Sequence, residues 1–211
     1  MTNALILLNG SPPSLKLLLN CWRNKDLKIC ADGAANYLFQ YKMIPDVIIG
    51  DFDSISSEAI NYYKAVEQHK IEDQSTTDSE KAVNFCIDKN VLNINVLGAF
   101  GDRLDHSLYN LGLIKCFSEK NVTLCFTSET EKVYSITQST TFHAPIGSRI
   151  SLIPIFGKVE KVSSFGLEWN LTDANLEFGN LCSVSNKISE SPATIEFESG
   201  HLLLITENSI E

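Results

Sequence analysis

Basic side chains are in the minority: 17 Lys and Arg stand against 26 Asp and Glu, a net charge of −9 at pH 7. Nucleic-acid binding needs lysines and arginines massed in a patch or stripe, and this chain has none, so no nucleic-acid partner is expected. An anionic small molecule remains compatible where backbone amides, a few cations or a metal offset the charge locally. Long apolar runs are also lacking. The N-terminal one, Ala4 to Leu8, meets Asn9-Gly10 at once and has no basic flank. It reads as neither export signal nor membrane segment, so a cytoplasmic chain with no membrane partner is expected. The six cysteines (Cys21, Cys30, Cys86, Cys116, Cys125 and Cys182) show no C-x-x-C spacing, and no histidines are paired. Reduced packing cysteines are expected, and a structural zinc site is not. Missing too are a Walker A G-x-x-x-x-G-K-S/T, the spaced glycine triad of dinucleotide-binding folds and a G-x-S-x-G elbow. Neither an internal repeat nor a low-complexity tract is found.

What is present is an ordinary globular composition, 44% hydrophobic over 211 residues, enough for one large domain or two small ones. Five apolar runs, Ala4 to Leu8, Leu27 to Cys30, Val47 to Ile49, Ile94 to Leu97 and Val122 to Phe126, predict buried parallel strands. Helical patterns lie between or after them over Leu15 to Trp22, Ala34 to Gln40, Ser57 to Val66, Asp78 to Asp88 and His106 to Phe117. After Glu129 the segments become short, β-rich and separated by Gly, Pro, Asn or Ser. The expected fold is therefore α/β: a doubly wound, mostly parallel sheet domain over 1–129, followed by an all-β sandwich over 130–211.

Four strand ends carry glycine beside a polar side chain: Asn9-Gly10, Asp32-Gly33, Gly50-Asp51 and the Gly98 to Asp105 loop. In open α/β sheets ligands bind outside the carboxyl ends of the strands, so these loops should converge on one crevice. In G-D-F-D-S (Gly50 to Ser54), an extended chain sets Asp51 and Asp53 on one face, where two carboxylates repel and a hard cation such as Mg²⁺ relieves them. Thr77 with Glu80 fits a capping box, placing Asp78 on the first turn of a helix and Lys81 about one turn later. Asp78 is then a candidate third metal carboxylate, Lys81 a phosphate partner, and Gln74 a donor and acceptor for a polar substrate. In G-D-R-L-D-H (Gly101 to His106), Arg103 can grip phosphate oxygens, while Arg103 and Asp105 can equally form a plain surface pair. Period-two alternation in L-C-S-V-S-N (Leu181 to Asn186) sets Ser183 and Ser185 opposite Cys182 and Val184. Trp169, among polar neighbours, either packs or offers a ring face to a ligand.

A-D-G-A-A-N (Ala31 to Asn36), P-D-V-I-I-G-D-F-D-S (Pro45 to Ser54), D-Q-S-T-T-D-S-E-K-A (Asp73 to Ala82), G-D-R-L-D-H, G-L-E-W-N-L (Gly166 to Leu171) and S-V-S-N (Ser183 to Asn186) together resemble thiamine pyrophosphokinases. The motifs run in the family's order over nearly the whole chain. The resemblance implies an ATP- and Mg²⁺-binding catalytic domain, a thiamine-binding sandwich and a homodimer whose active site is shared between subunits. It implies pyrophosphoryl transfer from ATP to the thiamine hydroxyl, by in-line attack on the β-phosphorus with AMP leaving. By position, Asp51, Asp53 and Asp78 correspond to the Mg²⁺ carboxylates, and Asp32, Lys81 and Arg103 to the ATP side. Gln74 and Asp105 correspond to residues near the attacking thiamine, Trp169 to a stacking residue from the partner subunit, and Ser183, Ser185 and Asn186 to the lining of that end of the pocket. Asp105 is the candidate for orienting or deprotonating the hydroxyl, a task a metal-activated alkoxide makes unnecessary. Ser75 departs from the family's pattern, which often has an acid there. The carboxylates alone also fit a Mg²⁺-dependent phosphohydrolase or a pyrophosphokinase for another alcohol, and only the sandwich motifs favour thiamine; a non-catalytic nucleotide or thiamine diphosphate sensor has less need of the full set Asp51, Asp53, Asp78, Lys81 and Arg103.

Overall fold

Strands covered on both faces need apolar side chains at successive positions, and the first half of the chain supplies them. In the computed structural model, which describes residues 2–73, 75–101 and 103–208, they form β1 (Asn3–Leu7), β2 (Leu27–Ala31), β3 (Val47–Gly50), β5 (Asn93–Leu97) and β6 (Thr123–Thr127), with β4 (Glu67–Lys70) added between β3 and β5 in sequence. The helices are α1 (Leu15–Trp22), α2 (Ala34–Gln40), α3 (Ser57–Tyr62), α4 (Asp78–Asp88) and α5 (Leu104–Ser118). Hydroxyl side chains start three of them. Ser14 accepts from the Leu17 amide, Ser56 from Ala59 and Thr77 from Glu80, each satisfying an amide that the first helical turn leaves without a partner.

Two compact units make up the chain, one ending at Glu129 and the other starting at Thr130. In the first, the strands lie in the order β6-β5-β1-β2-β3-β4, and every pairing is parallel. Leu5, Leu7, Cys30 and Ile48 pack with Leu17 and Leu18 of α1, Leu38 of α2 and Ala59 of α3, while α4 runs across β1, β2 and β3 and α5 lies against β6. The chain leaves β1 toward β2 and leaves β5 toward β6, so the connections from these neighbouring strands run in opposite directions along the sheet. That switch point opens a crevice at the strands' carboxyl ends. The doubly wound expectation is met, with one strand it lacked. β4 reads E-Q-H-K because it is an edge strand with little apolar face to bury, and α3 ends at Tyr62, short of the expected Val66, with a turn leading into β4.

In the second unit the strands β7 (Glu131–Ile136), β8 (Thr140–Phe142), β9 (Arg149–Ile153), β10 (Val159–Phe165), β11 (Ala174–Leu176), β12 (Ser183–Lys187), β13 (Ala193–Glu196) and β14 (Leu202–Glu207) pair antiparallel. Their orders are β12-β9-β14-β7 and β11-β10-β13-β8. Ile150, Leu152, Leu202 and Leu204 from the first set pack with Val159, Val162, Leu176 and Ile195 from the second, the interior of a sandwich. No helix among the described residues is long and apolar enough to cross a membrane.

Candidate active site

Asp32 follows β2 and sits at φ 41, its amide donating to the Ile49 carbonyl at 2.8 Å and its carbonyl accepting from Ala35 at 2.9 Å. This locks the residue beneath the end of β3. Gly50 is required beside it: at φ 153 its backbone is one that side-chain-bearing residues rarely adopt, and an added Cβ would stand 2.8 Å from the Asp32 Cβ. The Asp32 side chain is 4% exposed, and its Oδ1 is shielded from solvent with no hydrogen-bond partner. A buried carboxylate oxygen left unpaired is costly, which marks it as an acceptor awaiting a ligand.

Asp51 and Asp53 reach the same point, by a route other than the expected extended strand. Phe52 lies at φ 69, so the chain turns sharply, and the Asp53 amide donates to Asp51 Oδ1 at 3.2 Å. Phe52 packs into the core. Asn36 on α2 pins the rest of the turn, donating to the Ser54 carbonyl at 2.7 Å and accepting from the Ser56 amide at 2.8 Å. One carboxylate oxygen each from Asp32, Asp51 and Asp53 lies within 4.8 Å of the others. Three carboxylates, one of them with an orphaned oxygen, form a hard donor set suited to Mg²⁺ and unsuited to soft metals.

Asp78 and Lys81 enter from α4. Lys81 is buried; its Nζ donates to the Ile71 carbonyl at 3.3 Å and to Asp78 Oδ1 at 3.4 Å. Burial raises the Asp78 carboxyl above its usual range, opposed by the Lys81 charge, with Asp32 and Asp51 adding smaller upward contributions. Asp78 therefore belongs to the same acidic neighbourhood as Asp32 and Asp51. Glu80 accepts from the Tyr109 hydroxyl at 2.8 Å, so its side chain is spent on α5, where the capping-box reading would turn it back to Thr77.

The loop after β5 closes the other side. Gly98, at φ 68, would put a Cβ 2.2 Å from the Leu8 carbonyl oxygen; only glycine fits where the β1 and β5 loops meet. The Gly10 amide donates to Gly98 and the Ser11 amide to Phe100, joining the two loops. Arg103 and Asp105 form a two-pronged pair, Nε to Oδ1 at 3.2 Å and Nη2 to Oδ2 at 2.5 Å, on largely exposed side chains. This is the surface pair the sequence left open. Arg103 holds the Asp105 carboxyl down to about 2, with the His106 amide assisting.

These loops enclose a cleft of about 850 Å³, lined by Asn9, Gly10, Asp32, Asp51, Asp53, Asp78, Lys81, Gly98, Arg103 and His106 among others. The four glycine-bearing strand ends do converge. Gln74 lies outside the described residues. Thr77, read from sequence only as a helix cap, lines the cleft, as do Ser79 and Asn110, which were not singled out, although Asn110 stands one turn after His106 and so shares its helix face.

The second unit gathers the remaining candidates. Gly166 at φ 80 and the Asn170 side chain, which accepts from the Leu167 amide at 3.1 Å, shape the loop that carries Trp169. Asn186 is buried and ties that loop down: its Oδ1 accepts from the Trp169 amide at 3.1 Å, and its Nδ2 donates to the Trp169 carbonyl at 2.7 Å and to Ser183 Oγ at 3.1 Å. The Trp169 side chain is 57% exposed, with Lys187 Nζ 5.9 Å from its ring centroid. The expected alternation fails here. Ser185 adopts φ 56 and the register with β9 shifts between Ser183 and Asn186, so Ser183 and Asn186 turn inward while Val184 is 65% exposed. Ser185 is held by its amide, which donates to Ser151 Oγ at 2.9 Å.

The family model described as thiamin pyrophosphokinase, catalytic domain, matches residues 18–126, and that for the thiamin pyrophosphokinase vitamin B1 binding domain matches residues 135–202. Thiamine pyrophosphokinase 1 of Oryza sativa subsp. japonica is 31% identical over 93% of this chain and 84% of its own length. Crystal structures of thiamine pyrophosphokinase from Bacillus subtilis and from yeast superpose with TM-scores of 0.87 each, over 99% of this chain and 100% and 86% of theirs. At 21% and 22% identity, those two structures show a common fold. The matched catalytic domain spans more than half the sequence and the rice relative nearly all of it, so the chain belongs to the thiamine pyrophosphokinase family.

Proposed function

We propose a division of labour for this chain, a transferase that uses ATP to make thiamine diphosphate: the α/β unit, 1–129, holds ATP and does the chemistry, and the sandwich unit, 130–211, holds thiamine. The observation that carries this is the cleft at the switch point, where the buried Lys81 and the exposed Arg103 line the same space as a carboxylate cluster with an orphaned oxygen. Such a place receives a polyphosphate only together with a divalent cation. Asp51, Asp53 and Asp78 would hold Mg²⁺, with Asp32, whose carboxylate meets those of Asp51 and Asp53, beside them; when bound, the ion would neutralise phosphate charge.

In the reaction, the thiamine hydroxyl oxygen bonds to the β-phosphorus of ATP, the bond from that phosphorus to the α,β-bridging oxygen breaks, and AMP leaves as the hydroxyl proton is lost. Transfer of this kind needs little covalent help from the protein, so positioning and charge do most of the work. Lys81 and Arg103 bind phosphate oxygens. Asp105, held near pKa 2 by Arg103, is a weak base, so its part is to hold the guanidinium and orient the hydroxyl. Gln74 contributes a polar contact to thiamine. Trp169 stacks on the flat cationic substrate, with Ser183, Ser185 and Asn186 shaping that end; the hydrogen bonds from Asn186 to Trp169 and Ser183 support treating them as one surface.

We also propose a homodimer in which the Trp169 surface of one subunit serves the cleft of its partner, supported by the exposure of Trp169, Phe165 and Val184 on the sandwich unit. A cytoplasmic setting suits six cysteines that form no disulfide among the described residues. The test is to incubate the purified protein with ATP, Mg²⁺ and thiamine and follow AMP and thiamine diphosphate by chromatography. Equal, thiamine-dependent formation of both is expected. AMP without thiamine diphosphate would sink the assignment of thiamine as acceptor.

A further inference from the structure

Asn110 is a buried polar side chain in the middle of α5, and the roles assigned so far make no use of it. Its Oδ1 accepts from Ser79 Oγ at 2.8 Å, and its Nδ2 donates to the Ala99 carbonyl at 2.6 Å. Ser79 Oγ lies in turn 2.8 Å from Thr77 Oγ1, the hydroxyl that caps α4. One amide thus spans the two sides of the cleft. Toward Ser79 it grips the first turn of α4, which carries Asp78 and leads to Lys81. Toward Ala99 it grips the glycine-flanked loop that leads to Arg103. A carboxamide suits this place because one end must accept and the other donate, and an aliphatic side chain would take the donor from the Ala99 carbonyl and leave the Ser79 hydroxyl tied to Thr77 alone. Tyr109, the preceding residue, adds a second tie from α5 to α4 through Glu80, at an exposed position.

We infer that Asn110 is a positioning residue that fixes the spacing between the α4 cation and carboxylate and the β5–α5 loop, and so sets how the phosphates of ATP are gripped. The inference rests on the reading of this cleft as the ATP site. Its effect belongs on the nucleotide side of the reaction and not on the thiamine side. A misplacement of about 1 Å in a reacting constellation costs about 10²-fold in rate, so small shifts at either end suffice.

The test is a double-mutant cycle on the full chain with Asn110→Ala, Ser79→Ala and the pair, measuring kcat, both KM values and thermal midpoints at a temperature where all variants are folded. Asn110→Ala is expected to lower kcat/KM for ATP by about 10- to 100-fold while the KM for thiamine stays within about twofold. Because the two side chains act through one bond, the pair should lose little more than Asn110→Ala alone. Ser79→Ala removes a single hydroxyl and keeps the cycle informative should Asn110→Ala fold poorly; alone it should lower kcat/KM for ATP in the same direction. Losses that multiply, equal effects on both substrates, or a lowered thermal midpoint with unchanged kcat/KM for ATP would each overturn the inference. If the parent protein forms no thiamine diphosphate, the functional reading has failed; if it does and the variants match it, only the role of Asn110 has.

Discussion

Asp32 holds a carboxyl oxygen shielded from solvent with no hydrogen-bond partner, close to the carboxylates of Asp51 and Asp53. A cation supplied from solution would relieve that crowding, and this gives a prediction separate from turnover. Saturating Mg²⁺ should raise the thermal midpoint of the protein, since a ligand bound only to the folded state stabilises it by RT ln(1 + [L]/Kd). Asp32→Asn should raise the metal-free midpoint, by taking one carboxylate out of the cluster with Asp51 and Asp53, and shrink the Mg²⁺ increment. An unchanged increment would remove Asp32 from the ion's surroundings. Asp105 gives a second prediction. Its folded pKa, about 2, lies below the ordinary carboxylate value near 3.9, so the pair with Arg103 contributes fully above the unfolded value and is lost as pH falls toward 2. The pair is exposed, so its contribution to stability is small and screened by salt. An NMR titration of the Asp105 carboxyl should move upward toward its ordinary value in Arg103→Ala; no movement would show that Arg103 is not the cause. That Asp51 and Asp53 face one point was legible from their spacing and strand-end position. The reason was not, because the left-handed turn at Phe52 depends on packing of its ring that no local pattern announces.

Element by element, strands with apolar faces on both sides announced themselves, and β4 did not, because an edge strand of E-Q-H-K has the composition of a loop. β8 and β11, three residues each and mixed in polarity, carry no local pattern that marks them as strands either. At β12 the alternation rule failed because a bulge spends one residue, Ser185, on changing direction, and so turns Asn186 inward toward Ser183 and the Trp169 loop. The bulge thus builds the substrate surface proposed for the sandwich. The turn from β3 into the acidic loop is the element most exposed to a single substitution. Gly50→Ala would both strain a φ of 153 and press on Asp32, so it should cost about 1–3 kcal/mol of stability and weaken Mg²⁺ binding as well. Denaturant unfolding with and without Mg²⁺ measures both. A fully stable variant with normal metal binding would show that the backbone there yields.

For the whole molecule, the order of elements was enough to read an α/β unit followed by an antiparallel sandwich, because the hydrophobic pattern changes character at Glu129. The strand order was not legible, since the sequence gives no register between β1 and β5. The parallel sheet holds the acidic cleft at its switch point, and the sandwich holds the Trp169 surface through Asn186. Trp169→Ala should raise the KM for thiamine about tenfold and leave that for ATP within about twofold; equal changes would assign Trp169 to folding. If the proposed dimer shares its sites, mixed dimers of Trp169→Ala with Asp51→Asn subunits should, at thiamine well below the raised KM, turn over faster than dimers of either variant alone, and verified mixed dimers that do not would rule out a site shared between subunits.

The most direct test of the central claim follows the phosphates themselves, using ATP labelled separately at the α- and γ-phosphates in the presence of thiamine and Mg²⁺. One-step transfer of a pyrophosphoryl group predicts that the γ label appears in thiamine diphosphate and the α label in AMP, with no ADP formed on the way. ADP as the nucleotide product, or γ label released as inorganic phosphate, would contradict the account.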